Sequence, residues 1–235
     1  ATKPNVRADK IIFMEPKIIR DYYLLSLDPK NGHWLRMGNE FKIGLLGAVL
    51  ADLYFAKRIG IDQQKVILVD PAISNYPFFD ALLNLLQRKG SLKIWSLLSR
   101  MNIRYRFYKK EILKILVDNN DVLKISKSFW GIPYSRYYAK NRDDRNILIR
   151  RLRDIILRNE QPHAHELLLL TVIYASRMYK NLTDMRSERK IIKQKMKEMF
   201  KNGPSHFNNY EQAHQLEKGI RKAIQAANAR QAAST

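Results

Sequence analysis

The apolar positions along the chain recur mostly with helical spacing, interrupted by two stretches of strand character. After Pro16 come Ile18, Ile19, Tyr22, Tyr23 and Leu25, a helical stripe opened by a proline whose missing amide has no intrahelical role. The segment Asp28-Pro29-Lys30-Asn31-Gly32 ends it as a turn. Asn39 offers a cap for a second helix at about 40–59, with Phe41, Leu45, Leu46, Val49, Leu50 and Leu53 on one stripe. Gly44, Gly47, Ala48 and Ala51 within it let another helix approach closely, which marks it as the expected core helix. Residues 66–69 form a short β-type run broken by Asp70-Pro71. Pro77 opens a helix at about 77–88, which Gly90 stops, and further helices are expected at about 91–101 and 104–118. Aromatic and β-branched residues at 121–126 and 129–139 predict a hairpin turning at Lys127-Ser128, with Pro133 confining the second strand to an edge or a bulge. Helices at about 142–159, 162–180, 184–201 and 207–229 complete the chain. With no fixed repeat and no long linker, the expected fold is mainly α. A polar arm at 1–14 precedes a single globular helical domain at 15–230, built around a buried core helix and carrying a β-hairpin at about 121–139.

Charge changes this picture from a generic helical domain to one with a particular kind of partner. Of 235 residues, 43 are Lys or Arg and 22 are Asp or Glu, a net charge of +21. The 46% hydrophobic content excludes a disordered polycation. A folded body with so basic an exterior points to a polyanion, either nucleic acid or the anionic face of a membrane. The absence of cysteine excludes a disulfide scaffold, a thiolate nucleophile and a thiolate zinc site. No apolar run reaches the roughly 18 residues of a membrane span, and no apolar leader follows Ala1-Thr2-Lys3-Pro4. The expected location is cytoplasmic, peripheral on the cytosolic face of a membrane.

Catalytic chemistry finds no support in the motifs. His163 and His165 stand two apart and diverge on a helix, and His165-Glu166 lacks a second histidine because position 169 is Leu. Gly44 and Gly47 lie in an apolar helix and not in a phosphate loop, no serine has the context of a nucleophile elbow, and Asp143-Asp144 suits a helix N-terminus. No enzyme activity, no metal and no cofactor are expected. The informative feature is segregation of charge. Between Asp80 and Glu111 there is no acid, while Arg88, Lys89, Lys93, Arg100, Arg104, Arg106, Lys109 and Lys110 all fall there. Arg106, Lys109 and Lys110 share one helix face, an arrangement suited to phosphate. The turn Gly32-His33-Trp34-Leu35-Arg36-Met37 places Trp34 and Met37 where they can plug the core or insert at a bilayer interface. The stripe Ile192, Met196, Met199 and Phe200, with lysines around it, fits either a bundle helix or, less well, one lying on a membrane.

Several of these stretches, taken in order, resemble the Golgi phosphoprotein 3 family. Tyr23-Leu24-Leu25-Ser26-Leu27-Asp28 followed by Gly32 is similar to its opening helix and turn. Gly47-Ala48-Val49-Leu50-Ala51-Asp52-Leu53 with Arg58-Ile59 is similar to its core helix. Pro77-Phe78-Phe79-Asp80-Ala81-Leu82-Leu83, Ile94-Trp95, Asp121-Val122-Leu123 and the leucine-rich helix at 167–174 follow in the family's order, so the resemblance covers about 15–180. It implies a helical domain whose hairpin serves in oligomer contacts, and a peripheral membrane protein binding phosphatidylinositol 4-phosphate. Eukaryotic members also grip the cytosolic tails of glycosyltransferases. The family's headgroup pocket uses a tryptophan before the core helix, an arginine within it, and two arginines three apart later. These columns fall near Met37 (with Trp34 in the same turn), on Leu46, and on Arg106 and Lys109. Leu46 removes one basic ligand.

The resulting expectation is a non-enzymatic peripheral membrane protein, possessing a site for anionic, phosphoinositide-like lipid headgroups at Trp34, Arg36, Arg104, Arg106, Lys109 and Lys110. Trp34 and Met37 are the expected membrane-inserting groups, and Phe129, Trp130, Ile132 and Tyr134 the hairpin's contacts in a homo-oligomer. Protein clients with cytosolic tails are compatible partners. The alternative is a basic nucleic-acid-binding module with the hairpin as a wing and Asn146, Arg150, Arg151 and Arg153 on a reading helix.

Overall fold

A computed structural model describes residues 15–28, 30, 32, 35, 38–130, 132–201 and 210–234. The arm at 1–14 lies outside the described residues. Helix α1 spans Lys17–Ser26 and α2 Asn39–Phe55, followed by strands β1 (Ile59–Asp62) and β2 (Lys65–Leu68). Helix α3 (Pro77–Lys89), a two-residue strand β3 (Leu92–Lys93), α4 (Ile94–Ile103) and α5 (Tyr105–Asp118) come next. Strands β4 (Val122–Phe129) and β5 (Ile132–Ala139) form the hairpin. Helices α6 (Arg142–Arg158), α7 (Ala164–Ala175), α8 (Arg186–Lys201) and α9 (Tyr210–Ala232) complete the fold, with a short 3-10 turn at Met178–Asn181 between α7 and α8.

Helix α2 is apolar on every side because every side is covered: α1, α4, α7 and α9 all pack on it. The close approach comes from its glycines. A Cβ on Gly44 would collide with the Tyr22 hydroxyl of α1, and one on Gly47 would lie 2.7 Å from the Ile220 side chain of α9. Tyr22 donates a 3.1 Å hydrogen bond to Ser176 at the end of α7, so α1, α2 and α7 meet at Gly44. One charged residue is buried in this helix. Both oxygens of the Asp52 carboxylate, 2% exposed, accept 2.9 Å hydrogen bonds from the amides of Ile18 and Ile19 in the first turn of α1. A carboxylate from another helix thus supplies the cap that Pro16 cannot. Burial pushes the Asp52 carboxyl up to about 8 although the two amides pull the other way.

Two small antiparallel sheets decorate the helical body. In the first, β2 lies between β1 and β3. In the second, β4 pairs with β5 from Val122 opposite Ala139 to Phe129 opposite Ile132. The hairpin's base is tied down by Arg20 of α1, whose Nε donates at 2.7 Å to Asp121 while Nη2 reaches Asp144 of α6 at 3.3 Å.

The mainly α fold with a buried core helix and a hairpin agrees with the sequence reading, and the exceptions have local causes. Helix α2 stops at Phe55 and not near 59, because Lys57 takes a left-handed φ of 57° and the chain turns into β1. Asn39 is the first helical residue, Gly38 takes the cap position, and the Asn39 amide instead donates to Asn228 and Gln231 of α9. The hairpin's strands pair as far as Phe129 opposite Ile132, so Lys127 and Ser128 are strand residues opposite Tyr134 and Pro133. Trp130, directly after β4, adopts a left-handed φ of 51°. Helix α7 ends at Ala175, since Arg177 is left-handed at φ 60°. Ile192, Met196 and Phe200 are buried, so α8 is a bundle helix.

Two predictions follow from the core. Gly44→Ala gains helix propensity but forces Tyr22 out of place, and is expected to destabilise by about 1–3 kcal/mol in urea unfolding. For Asp52, the folded chain retains a proton that the unfolded chain releases near pH 4, so its contribution to stability is complete below that pH and is lost as pH rises through about 8. Asp52→Asn should therefore be less stable than the parent by a margin that shrinks between pH 5 and 8, measured as urea midpoints; a margin that widens with pH would contradict this.

Candidate anion-binding site

Helix α5 is amphipathic for a simple reason. Tyr108, Ile112, Leu113 and Leu116 are buried against the body, and Arg106, Lys109, Lys110, Glu111, Lys114 and Asp118 lie outside that stripe. Lys42, at the start of α2, lies with its ammonium 5.7 Å from the Tyr105 ring centre, bringing another cation to the first turn of α5. Strand β4 packs against the helix. Residues directly opposite in an antiparallel pair share a face, so Lys124 and Tyr137, partners in the hairpin, point the same way.

These elements enclose a cavity of about 470 Å³. Arg106, Lys109, Lys110 and Lys114 line it from α5, at spacings of three and four that keep them on one face, and Lys124 and Tyr137 close it from the hairpin. Leu113 and Val117 add apolar lining. Asp118, at the end of α5, is the one carboxylate among the described lining residues. Five cations therefore face one acid, and Arg106, Lys110, Lys114 and Lys124 form no ion pair among the described residues. Lys109 is half-buried, and burial together with the nearby Lys42 pulls its ammonium below the usual lysine range. An anion in the cavity would reverse that cost.

The structure brings Arg106, Lys109 and Lys110 together as the sequence predicts. Arg104 is exposed at the junction of α4 and α5 with its guanidinium 5.8 Å from the Phe107 ring centre, and it does not line the cavity. Trp34, Arg36 and Met37 lie outside the described residues. At the start of their turn Gly32 abuts the Tyr137 carbonyl and the Tyr138 ring, and beyond it Lys42 of α2 acts on Lys109. Leu46, in the column of the family's core-helix arginine, is fully buried and offers no ligand. Of the hairpin residues, Trp130 at the tip is 89% exposed and Tyr134 is exposed; the side chains of Phe129 and Ile132 lie outside the described set.

Sequence reasoning missed Lys114, Lys124 and Tyr137. Lys114 follows Lys110 by four residues and was legible as a continuation of the stripe, whereas nothing local shows that β4 docks beside α5. The family model of Golgi phosphoprotein 3 (GPP34) matches residues 18–227, nearly the whole described body. The chain belongs to the Golgi phosphoprotein 3 family. No curated protein matches it significantly. In this Golgi phosphoprotein 3 family member, no described helix is long and apolar enough to cross a membrane, and no group of three metal-ligating side chains occurs among the described residues.

The residues named for nucleic acid are differently engaged. Arg151 is held by Glu166 at 2.9 Å and by the Gln161 carbonyl at 3.0 Å, and Arg153 donates to Glu188 of α8 at 2.8 Å. Both serve as struts within the bundle, leaving Asn146 and Arg150 exposed on α6.

Proposed function

We propose that this chain is a non-enzymatic peripheral membrane protein that holds an anionic lipid headgroup between α5 and the β4–β5 hairpin. The observation that supports this most is the convergence of five cationic side chains, with an apolar floor, on one cavity of headgroup size. Each basic group near an anionic leaflet contributes about 1 kcal/mol, so five less one carboxylate give about 4 kcal/mol, enough for reversible attachment. Phosphate esters are the suited anions, since Arg106 offers a planar fork and the lysines compact charges around it. Family membership supports the same reading, and gripping the cytosolic tails of membrane enzymes is compatible with it.

The hairpin carries a second part of the proposal. Its face toward α5 bears Lys124 and Tyr137, while the opposite face exposes Leu123, Ile125 and Tyr134, with Trp130 at the tip. That face also carries Lys127 and Arg136, and its exposed apolar groups suit contact with a second copy of the chain, where pairing copies multiplies weak membrane attachment by avidity.

The chain is expected to co-sediment with vesicles containing phosphatidylinositol 4-phosphate and not with pure phosphatidylcholine. Arg106→Glu with Lys109→Glu should abolish sedimentation and leave the circular dichroism spectrum unchanged; equal binding to both vesicles would contradict the headgroup reading, and a gel shift of short DNA duplexes surviving this double variant would favour a different partner. Trp130→Ser should lower the mass measured by light scattering relative to the parent, and a parent already monomeric would contradict the hairpin's role.

A further inference from the structure

A second basic cavity, of about 580 Å³, lies between the end of α7, the 3-10 turn and helices α8 and α9, sharing no element with the one at α5. Arg186, Arg189, Lys190 and Lys193 reach it from α8 at offsets of three, four and seven, a single face of that helix. Arg177 enters from the left-handed residue that ends α7, and Lys180 from the turn that follows. Arg221 of α9 supplies the far wall beside Tyr174 and Tyr179. No carboxylate appears among the described lining residues.

Two features distinguish this cluster from a solvated lysine face. First, two of its cations are held in place. The Arg221 guanidinium lies 4.3 Å from the Tyr174 ring centre and its Nε donates to Glu217, while Tyr174 is itself stacked on Phe200 at 5.1 Å. Arg189 Nε donates at 3.1 Å to the Thr183 carbonyl. Second, the acid within the 186–193 row of α8 is used elsewhere: Glu188 faces α6, where Arg153 binds it. Arg177, Arg186, Lys190 and Lys193 form no ion pair among the described residues. Like charges fixed at this density repel one another until an anion of several charges enters.

We infer that this cavity is a second binding site, taking a compact molecule with several clustered phosphate esters. A single phosphate would engage few of its seven cations, whereas a ring or chain bearing several reaches the α8 row and Arg177 together. The tyrosine hydroxyls add neutral donors for ester or ring oxygens. The same chemistry is available from a soluble polyphosphate and from a multiply phosphorylated lipid headgroup.

Calorimetry of the full chain with inositol hexakisphosphate at physiological ionic strength tests the site. Arg186→Glu with Lys190→Glu, both exposed, should weaken binding about a hundredfold or more, as expected for reversing two charge-assisted contacts. The charge-matched Lys65→Glu with Arg142→Glu, both exposed and outside either cavity, should bind as the parent does. Vesicles of phosphatidylcholine with phosphatidylinositol bisphosphate identify the source: sedimentation of the α5 double variant that is lost on adding the α8 pair assigns a headgroup, and its absence alongside retained hexakisphosphate binding assigns a soluble ligand. Failure of the parent to bind hexakisphosphate, or equal loss in the α8 pair and the Lys65/Arg142 control, overturns the site. Neither result bears on the α5 cavity, which the phosphatidylinositol 4-phosphate experiment addresses separately.

Discussion

The fold hangs on a carboxylate placed where an apolar helix should have none. Asp52 lies on the buried face of α2 and accepts the first amides of α1, fixing the axial position and direction of α1 against the core helix. Much of the rest is registered from α1. Tyr22 seats over Gly44 and reaches the end of α7, and Arg20 clamps the hairpin base at Asp121 and the start of α6 at Asp144. The hairpin's position beside α5 therefore descends from a contact made in the centre of the molecule. The α5 cavity exists because these two elements are held side by side.

Sealing α2 and α7 in apolar contacts leaves little room for charge inside, so nearly all of the net +21 must lie outward. The acids that exist are largely spent on structure. Asp121 and Asp144 bind Arg20, Glu166 binds Arg151, and Glu188 binds Arg153. Each such pair joins two elements and at the same time removes a carboxylate from the surface available to neutralise neighbouring lysines. The two basic cavities are what remains. Their charge is a consequence of where the acids went as much as of where the bases are.

Periodicity makes most of the helices legible because an apolar stripe must face the core wherever the helix lies. The Arg106, Lys109 and Lys110 cluster is legible for the same reason, being contained in one helix. The β1–β2 hairpin is not, since its turn is built from Gln63 and Gln64, at φ 45° and 63°, without the Asn-Gly or Asp-Gly signal that such turns usually show. Lys127-Ser128 carries turn-like polarity yet pairs within the hairpin, because β4 runs on to Phe129 and β5 begins only at Ile132. Lys124, Tyr137, Arg177 and Arg221 acquire their roles from the docking of separate elements, and no local pattern records that. The left-handed Arg177 was likewise hidden inside a continuous helical stripe.

The central claim is that a phosphate group is held between α5 and the hairpin. A crystal of the chain grown with a short-chain phosphatidylinositol 4-phosphate tests it most directly. The account predicts phosphate density within hydrogen-bonding distance of Arg106 and Lys110, with Lys124 turned toward it from β4. A headgroup bound elsewhere, with the α5 cavity holding only water, would contradict it.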